Sequence, residues 1–118
     1  MWLESNNKLY DNGVLIKDKT ITANGNTDSL KKTQAEQLLL FINVGTVSAS
    51  DTITFTVQSS PDKINWYDHT SGAAISAAGN QLITETIVGP YVRVKWVVAG
   101  AGISMTGVDL DLVTRGGR

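Results

Sequence analysis

Between Thr52 and Gln58 the chain reads TITFTVQ. Ile53, Phe55 and Val57 alternate with threonines. Successive side chains of a strand point to opposite faces, so one face of this segment is apolar and the other hydroxylated. A helix would scatter the same pattern around its circumference. The period recurs in Tyr91–Val98, where Val92, Val94, Trp96 and Val98 share a face and Arg93 and Lys95 take the other. It recurs again in Ile103–Val113, where Val108, Leu110 and Leu112 alternate with Asp109 and Asp111. Further strands are expected at Val14–Thr22, Glu36–Val44, Ile64–Thr70 and Gln81–Val88, with turn-forming residues about every ten positions. The chain has 118 residues, 42% of them apolar, enough for one core. The pattern predicts an all-β chain: a single antiparallel β-sandwich, jelly-roll-like, over residues 14–113. An extended N-terminal arm, residues 1–13, precedes it, and a tail, 114–118, follows. No period repeats along the chain, which argues against a solenoid or propeller.

Two segments resist this scheme. LKKTQAEQ, from Leu30, favours helix by propensity but leads into QLLLFINV, a continuous apolar run typical of a buried strand. A strand apolar on both faces needs cover on both sides. The amino terminus, MWLESNNKLYDNG, is polar apart from Trp2, Leu3, Leu9 and Tyr10. Apolar side chains so placed are expected to fold back on the domain or dock on a neighbour, and these four are the candidate partner-binding residues.

Charge and composition narrow the function classes. Ten basic residues face eleven acidic ones, for a net charge of −1. A sequence-blind nucleic-acid binder needs a basic face to displace counterions, so no nucleic-acid partner is expected. The longest apolar run, Leu38–Ile42, is five residues, far short of the roughly 18 of a membrane helix, and no membrane partner is expected. The amino terminus lacks the basic and apolar regions of a signal peptide. Absence of cysteine excludes disulfides, thiolate metal sites and a cysteine nucleophile.

His69 is the single histidine, and its neighbour Asp68 points to the opposite face of a strand, where it cannot orient the ring. No second histidine or cysteine joins it for zinc. Asp109 and Asp111 share a strand face but lack the dense oxygen donors of a calcium loop. VVAGAGISM fails the dinucleotide fingerprint, because Met105 stands where the third glycine belongs and the following residues alternate as a strand. That segment reads as a hairpin loop. No catalytic residue, metal ligand or cofactor site is expected.

Two structural expectations complete the reading. If Tyr91–Val98 pairs antiparallel with Val108–Val113, one register sets Arg93 opposite Asp111 and Lys95 opposite Asp109. Such pairs contribute about 0.2–1 kcal/mol each, mainly by disfavouring slipped registers. Ser59-Ser60-Pro61-Asp62-Lys63 reads as a hairpin turn, since Pro61 presets φ and Asp62 bonds its own backbone. Ser60, Asp62 and Trp66 nearly match the Asp-box turn of sialidase-like propellers, one residue short and without its glycine. Trp66 and Tyr67 should occupy opposite sheet faces, one in the core and one on the surface.

TITFTVQSSPDKINWYDH, followed by VGPYVRVKWVVAGAGISMTGVDLDLV, resembles a small β-sandwich protein found among the virion genes of tailed bacteriophages and prophages. Ser60, Pro61, Asp62, Asn65, Trp66, Tyr67 and Tyr91 through Trp96 fit its pattern, while Lys63 replaces its turn glycine. The resemblance covers 36–113 and speaks to fold more than to job. It implies a non-enzymatic, multi-copy head auxiliary component. The expectation is a capsid decoration (cement) protein, made in the host cytoplasm and bound to the major capsid protein lattice on the virion surface. It implies a homo-oligomer, a trimer by jelly-roll precedent. A tail, neck or fibre-associated adaptor is the alternative, and a carbohydrate-binding module is a further one.

Overall fold

The computed structural model describes residues 10–31, 35–86 and 90–116, and the side chains of 15–31, 37–86 and 90–114. Among these residues there is no helix. Ten strands form: β1 (Tyr10–Ile21), β2 (Gly25–Asn26), β3 (Leu30–Lys31), β4 (Ala35–Val44), β5 (Thr46–Val47), β6 (Thr52–Ser60), β7 (Tyr67–Ser71), β8 (Gly79–Thr86), β9 (Tyr91–Ala99) and β10 (Met105–Gly116). They build two antiparallel sheets. The first runs β1-β10-β4-β8, with β5 also on β10; the second runs β2-β9-β6-β7, with β3 also on β9.

The pairings are nested. β6 pairs with β7, β4 with β8, β9 with the interrupted β2/β3, and β1 with β10. A long two-stranded ribbon wound around a core produces this order, and it is the jelly roll that the strand count suggested. The expected strands are all present, with shifted ends. β1 and β10 carry the first sheet from Tyr10 to Gly116, so residues 10–13 and 114–116 belong to strands, and residues 1–9 lie outside the described residues. β7 starts only at Tyr67, because the residues after Ser60 are taken up by the turn.

The alternating apolar positions meet between the sheets. Leu38, Leu40, Ile42 and Val44 of β4 and Val108, Leu110 and Leu112 of β10 face Ile53, Phe55 and Val57 of β6 and Val92, Val94 and Trp96 of β9. The Phe55 and Trp96 rings pack edge to face at 6.5 Å, and the Trp96 indole N–H donates to the Ala23 carbonyl at 3.0 Å. Burying the indole with its N–H satisfied keeps its apolar contribution without an orphan donor.

The winding overturns the expected pairing of Arg93 with Asp111 and of Lys95 with Asp109. β9 and β10 follow one another in the chain but lie in opposite sheets. Arg93 stands opposite Gln58 and Lys95 opposite Thr56, whereas Asp109 stands opposite Asn43 and Asp111 opposite Phe41. Complementary alternation shows that two strands are half-buried; it does not say that they share a sheet. The segment between them is therefore a crossover between sheets and not a hairpin loop. Gly100 makes it possible: its φ is +131°, and a Cβ there would lie 1.9 Å from the buried Asp51 carboxylate.

Candidate protein interface

Each sheet turns one face to the core and one outward, and the outward faces differ in chemistry. On the second sheet, Gln58 points outward from β6 yet is only 6% exposed. Longer side chains from β7 and β9 close over it. Arg93 Nε donates to Gln58 Oε1 at 2.7 Å, and Gln58 Nε2 donates to Asp68 Oδ1 at 2.7 Å. Lys95 Nζ donates to both Asp68 oxygens, at 3.2 and 3.3 Å. The Arg93 guanidinium lies 4.3 Å from the Trp66 ring centre, and Lys63 Nζ lies 5.4 Å from that of Tyr91. The bond from Gln58, with help from Lys95, holds the Asp68 carboxyl below its ordinary range.

Trp66 is thus half-buried on the outer face over Arg93, and Tyr67 is exposed, so neither enters the core. The expectation of one core aromatic fails here because Asn65 and Trp66 still belong to the turn, where strand alternation does not apply. Ser60, Pro61 and Asp62 build that turn. Ser60 Oγ accepts from the Asp62 and Lys63 amides at 3.1 and 2.8 Å. The Asp62 carboxylate accepts from the Ile64 and Asn65 amides, both at 2.9 Å, which lowers its pKa to about 2. Lys63, in place of the glycine, still adopts φ +68°.

His69 gains a partner that the sequence did not offer. Its Nε2 bonds Ser59 Oγ, and its Nδ1 lies 3.8 Å from Glu85 Oε2 on β8, across the gap between the sheets. Thr70 also bonds Glu85. The order serine–histidine–carboxylate resembles a hydrolytic triad, but Ser59 is 6% exposed, and 3.8 Å is too long for the orienting hydrogen bond. The group ties the β7 and β8 edges together. Among the described residues no cluster of three or more histidine, aspartate and glutamate side chains is placed to hold a metal ion.

The outer face of the first sheet is the opposite case. β4 presents Leu39, Phe41 and Asn43, β8 presents Asn80, Leu82 and Thr84, and β10 presents Asp109, Asp111 and Val113. Phe41 and Leu82 stand directly opposite each other and are 44% and 52% exposed. A depression of about 450 Å³ lies between them, bordered by Asn43, Asn80, Asp109 and Asp111. Asp109 is held by the Asp18 amide at 2.7 Å and by Asn43 Nδ2 at 3.4 Å, and the amide bond lowers its pKa. A bulge at Asp18, φ +50°, turns that amide toward it. Apolar side chains paired in the centre with polar groups at the rim have the composition of a protein interface.

QLLLFINV implies a second cover for its strand without distinguishing which outward side chain stands free; the structure shows that it is Phe41. The sequence signal for Leu82 is that it and Ile83 sit on opposite faces of one strand. Trp2, Leu3 and Leu9 lie outside the described residues, and Tyr10 is described only through its backbone, opposite Arg115.

No protein-family model matches the chain, and no curated protein matches its sequence. A chain in the structure of infectious bursal disease virus, Gx strain, is similar in fold, with a TM-score of 0.54 over 92% of this chain at 12% identity. This chain spans about a third, 32%, of that neighbour's length. That virus is not a bacteriophage, and at this identity the likeness is one of fold.

Proposed function

We propose that the protein is a structural component of a virus particle, and more closely a decoration protein that binds the outside of an assembled bacteriophage head and stabilises it. The observation that carries this reading is the uncovered pair Phe41–Leu82 on the outer face of a jelly roll. Opposed exposed apolar side chains at the centre of a sheet offer a partner area to cover. The fold neighbour from a virus structure and the resemblance to small virion sandwiches support the same reading. The role is non-enzymatic and multi-copy. Binding only to the assembled lattice stabilises the shell by mass action, and an oligomer gripping several capsomers converts weak contacts into strong ones.

The test is co-sedimentation of the purified protein with mature shells that lack it. Saturable binding at hundreds of copies per particle supports the shell role. Six or twelve copies transfer the reading to a tail or neck adaptor, and no binding removes both.

A further inference from the structure

We propose that the depression between Phe41 and Leu82 receives residues 1–9 of a second copy of this chain, with the Trp2–Leu3 pair as its anchor. The inference deepens the reading of the protein as an assembly and does not depend on where that assembly sits.

Three observations carry it. The first is direction. β1 runs from Tyr10, opposite Arg115, toward Val14, opposite Asp111, and Asp111 is opposite Phe41 on its other side. The chain therefore enters β1 from the end away from Phe41. To cover its own depression the arm would have to reverse at once, then pass about 13 Å back along the sheet and about 10 Å across two strands. An arm that runs straight on leaves its own sheet and reaches about 26 Å beyond it between Tyr10 and Trp2. A neighbour's depression is accessible to it without a reversal.

The second is chemistry. The depression has an apolar centre, amides at one side and the Asp109 and Asp111 carboxylates at the other. Residues 1–9, MWLESNNKL, bring an indole, leucines, two asparagines, one lysine and one glutamate, Glu4, which docking would have to leave toward water. Trp2 fills an apolar slot with large area at little entropic cost, and Lys8 answers the carboxylates. The third is the contrast between faces. The outer face of the second sheet engages Gln58, Asp68, Arg93 and Lys95 with one another and leaves Val97 exposed only beside Thr54, while the first sets two exposed apolar side chains directly opposite each other, without cover from the described residues.

The cysteine-free chain allows a direct test. Leu3→Cys and Leu82→Cys are introduced in separate chains, which are mixed and oxidised. The expected product is a disulfide between the two different chains, at twice the chain mass and well above either variant alone. A doubly substituted chain that closes its own disulfide at monomer mass overturns the proposal, because the arm then covers its own face. A dimer from Leu82→Cys alone also overturns it, in favour of face-to-face packing, as does the absence of any cross-link. In an independent measurement, Trp2→Ser with Leu3→Ser in the full chain weakens self-association at least tenfold by light scattering, with the melting temperature of the monomer unchanged. Unaltered self-association, or a wild-type chain that stays monomeric at high micromolar concentration, overturns it too. Shell co-sedimentation is scored separately, so failure to find a shell leaves these outcomes readable.

Discussion

The two outward faces of this sandwich share an alternation and differ in what fills it. On β6 and β9 the outward positions are mostly polar, and Gln58, Arg93 and Lys95 bond with Asp68 across three strands, although Val97 stands exposed opposite Thr54. On β4 and β8 they include Leu39, Phe41 and Leu82, which meet each other and then water. A face whose groups satisfy each other offers a partner little, since each new contact must replace one already made. A face with exposed apolar area gains from any cover that excludes water. On the proposed reading, the polar face serves the stability of the fold and the apolar face serves association.

The largest expected effect breaks the polar face at its centre. Gln58→Ala removes the buried amide that joins Arg93 to Asp68, leaving Asp68 with Lys95, and Arg93 with the Trp66 ring. Hydrogen bonds to charged groups contribute about 1.5–3 kcal/mol each, and Arg93 and the exposed Asp68 recover much of this from solvent, so the expected loss is about 2 kcal/mol. Urea unfolding followed by tryptophan fluorescence measures it, and the assembly interface should be unaffected at low denaturant.

The next variant keeps the core intact. Phe41→Ser with Leu82→Ser changes side chains about half in water, and losing their buried halves should cost the monomer about 1–2 kcal/mol in all. Association should weaken by about tenfold or more, since truncating a central apolar anchor costs above about 1 kcal/mol. A loss of stability with association unchanged would mean that the faces are not specialised. Analytical ultracentrifugation and thermal melts of the same samples decide it.

The difference between the faces also marks where sequence reading stops. Strand positions were legible from local period, because side-chain alternation depends only on the strand itself. TITFTVQ, YVRVKWVV and VDLDLV each buried the predicted side. The surplus apolar character of QLLLFINV was legible too, as a strand needing cover on both faces, though not that Phe41 is the side chain left exposed. The partners of Arg93 and Lys95 were not. Charge complementarity with Asp109 and Asp111 was real in sequence, but a jelly roll sends consecutive strands to opposite sheets, and pairing is decided by that winding. Gln58 carried no signal beyond being an amide at the end of a threonine strand. Glu85 reaches His69 only because the sheet edges close on one another. Such contacts link positions far apart in the chain, and no local pattern encodes them.

A smaller effect tests how the turn feeds the polar face. Lys63 adopts a left-handed conformation that costs a non-glycine residue about 1–2 kcal/mol, and its ammonium recovers about 0.5–1 kcal/mol over Tyr91. Lys63→Ala keeps the strain and loses the ring contact. Lys63→Gly loses the contact and the strain, at an entropic cost of about 0.5–1 kcal/mol. The glycine variant should therefore be the more stable of the two by about 1 kcal/mol, a difference of a few degrees in melting temperature. Equal melting temperatures would mean that Lys63 is not strained.

The smallest effect is confined to acid. Each face carries a carboxyl held below its ordinary value by backbone amides: Asp62 in the turn beside the polar face, lowered from 3.8 to about 2, and Asp109 at the rim of the apolar one. A carboxyl depressed in the folded state contributes stability that is fully present above its unfolded pKa. That contribution is lost as pH falls through the folded value, so for Asp62 the loss runs from about 4 down to about 2 and nothing changes near neutrality. Both groups lie in water, where screening keeps the effect small. Asp62 accepts two backbone amides and Asp109 one, so Asp62→Asn should flatten the decline of melting temperature between pH 4 and pH 2 more than Asp109→Asn does. If the two variants flatten it equally, the turn is no more dependent on its carboxylate than the rim is. The division of labour between the faces would then rest on Gln58 and Phe41 alone.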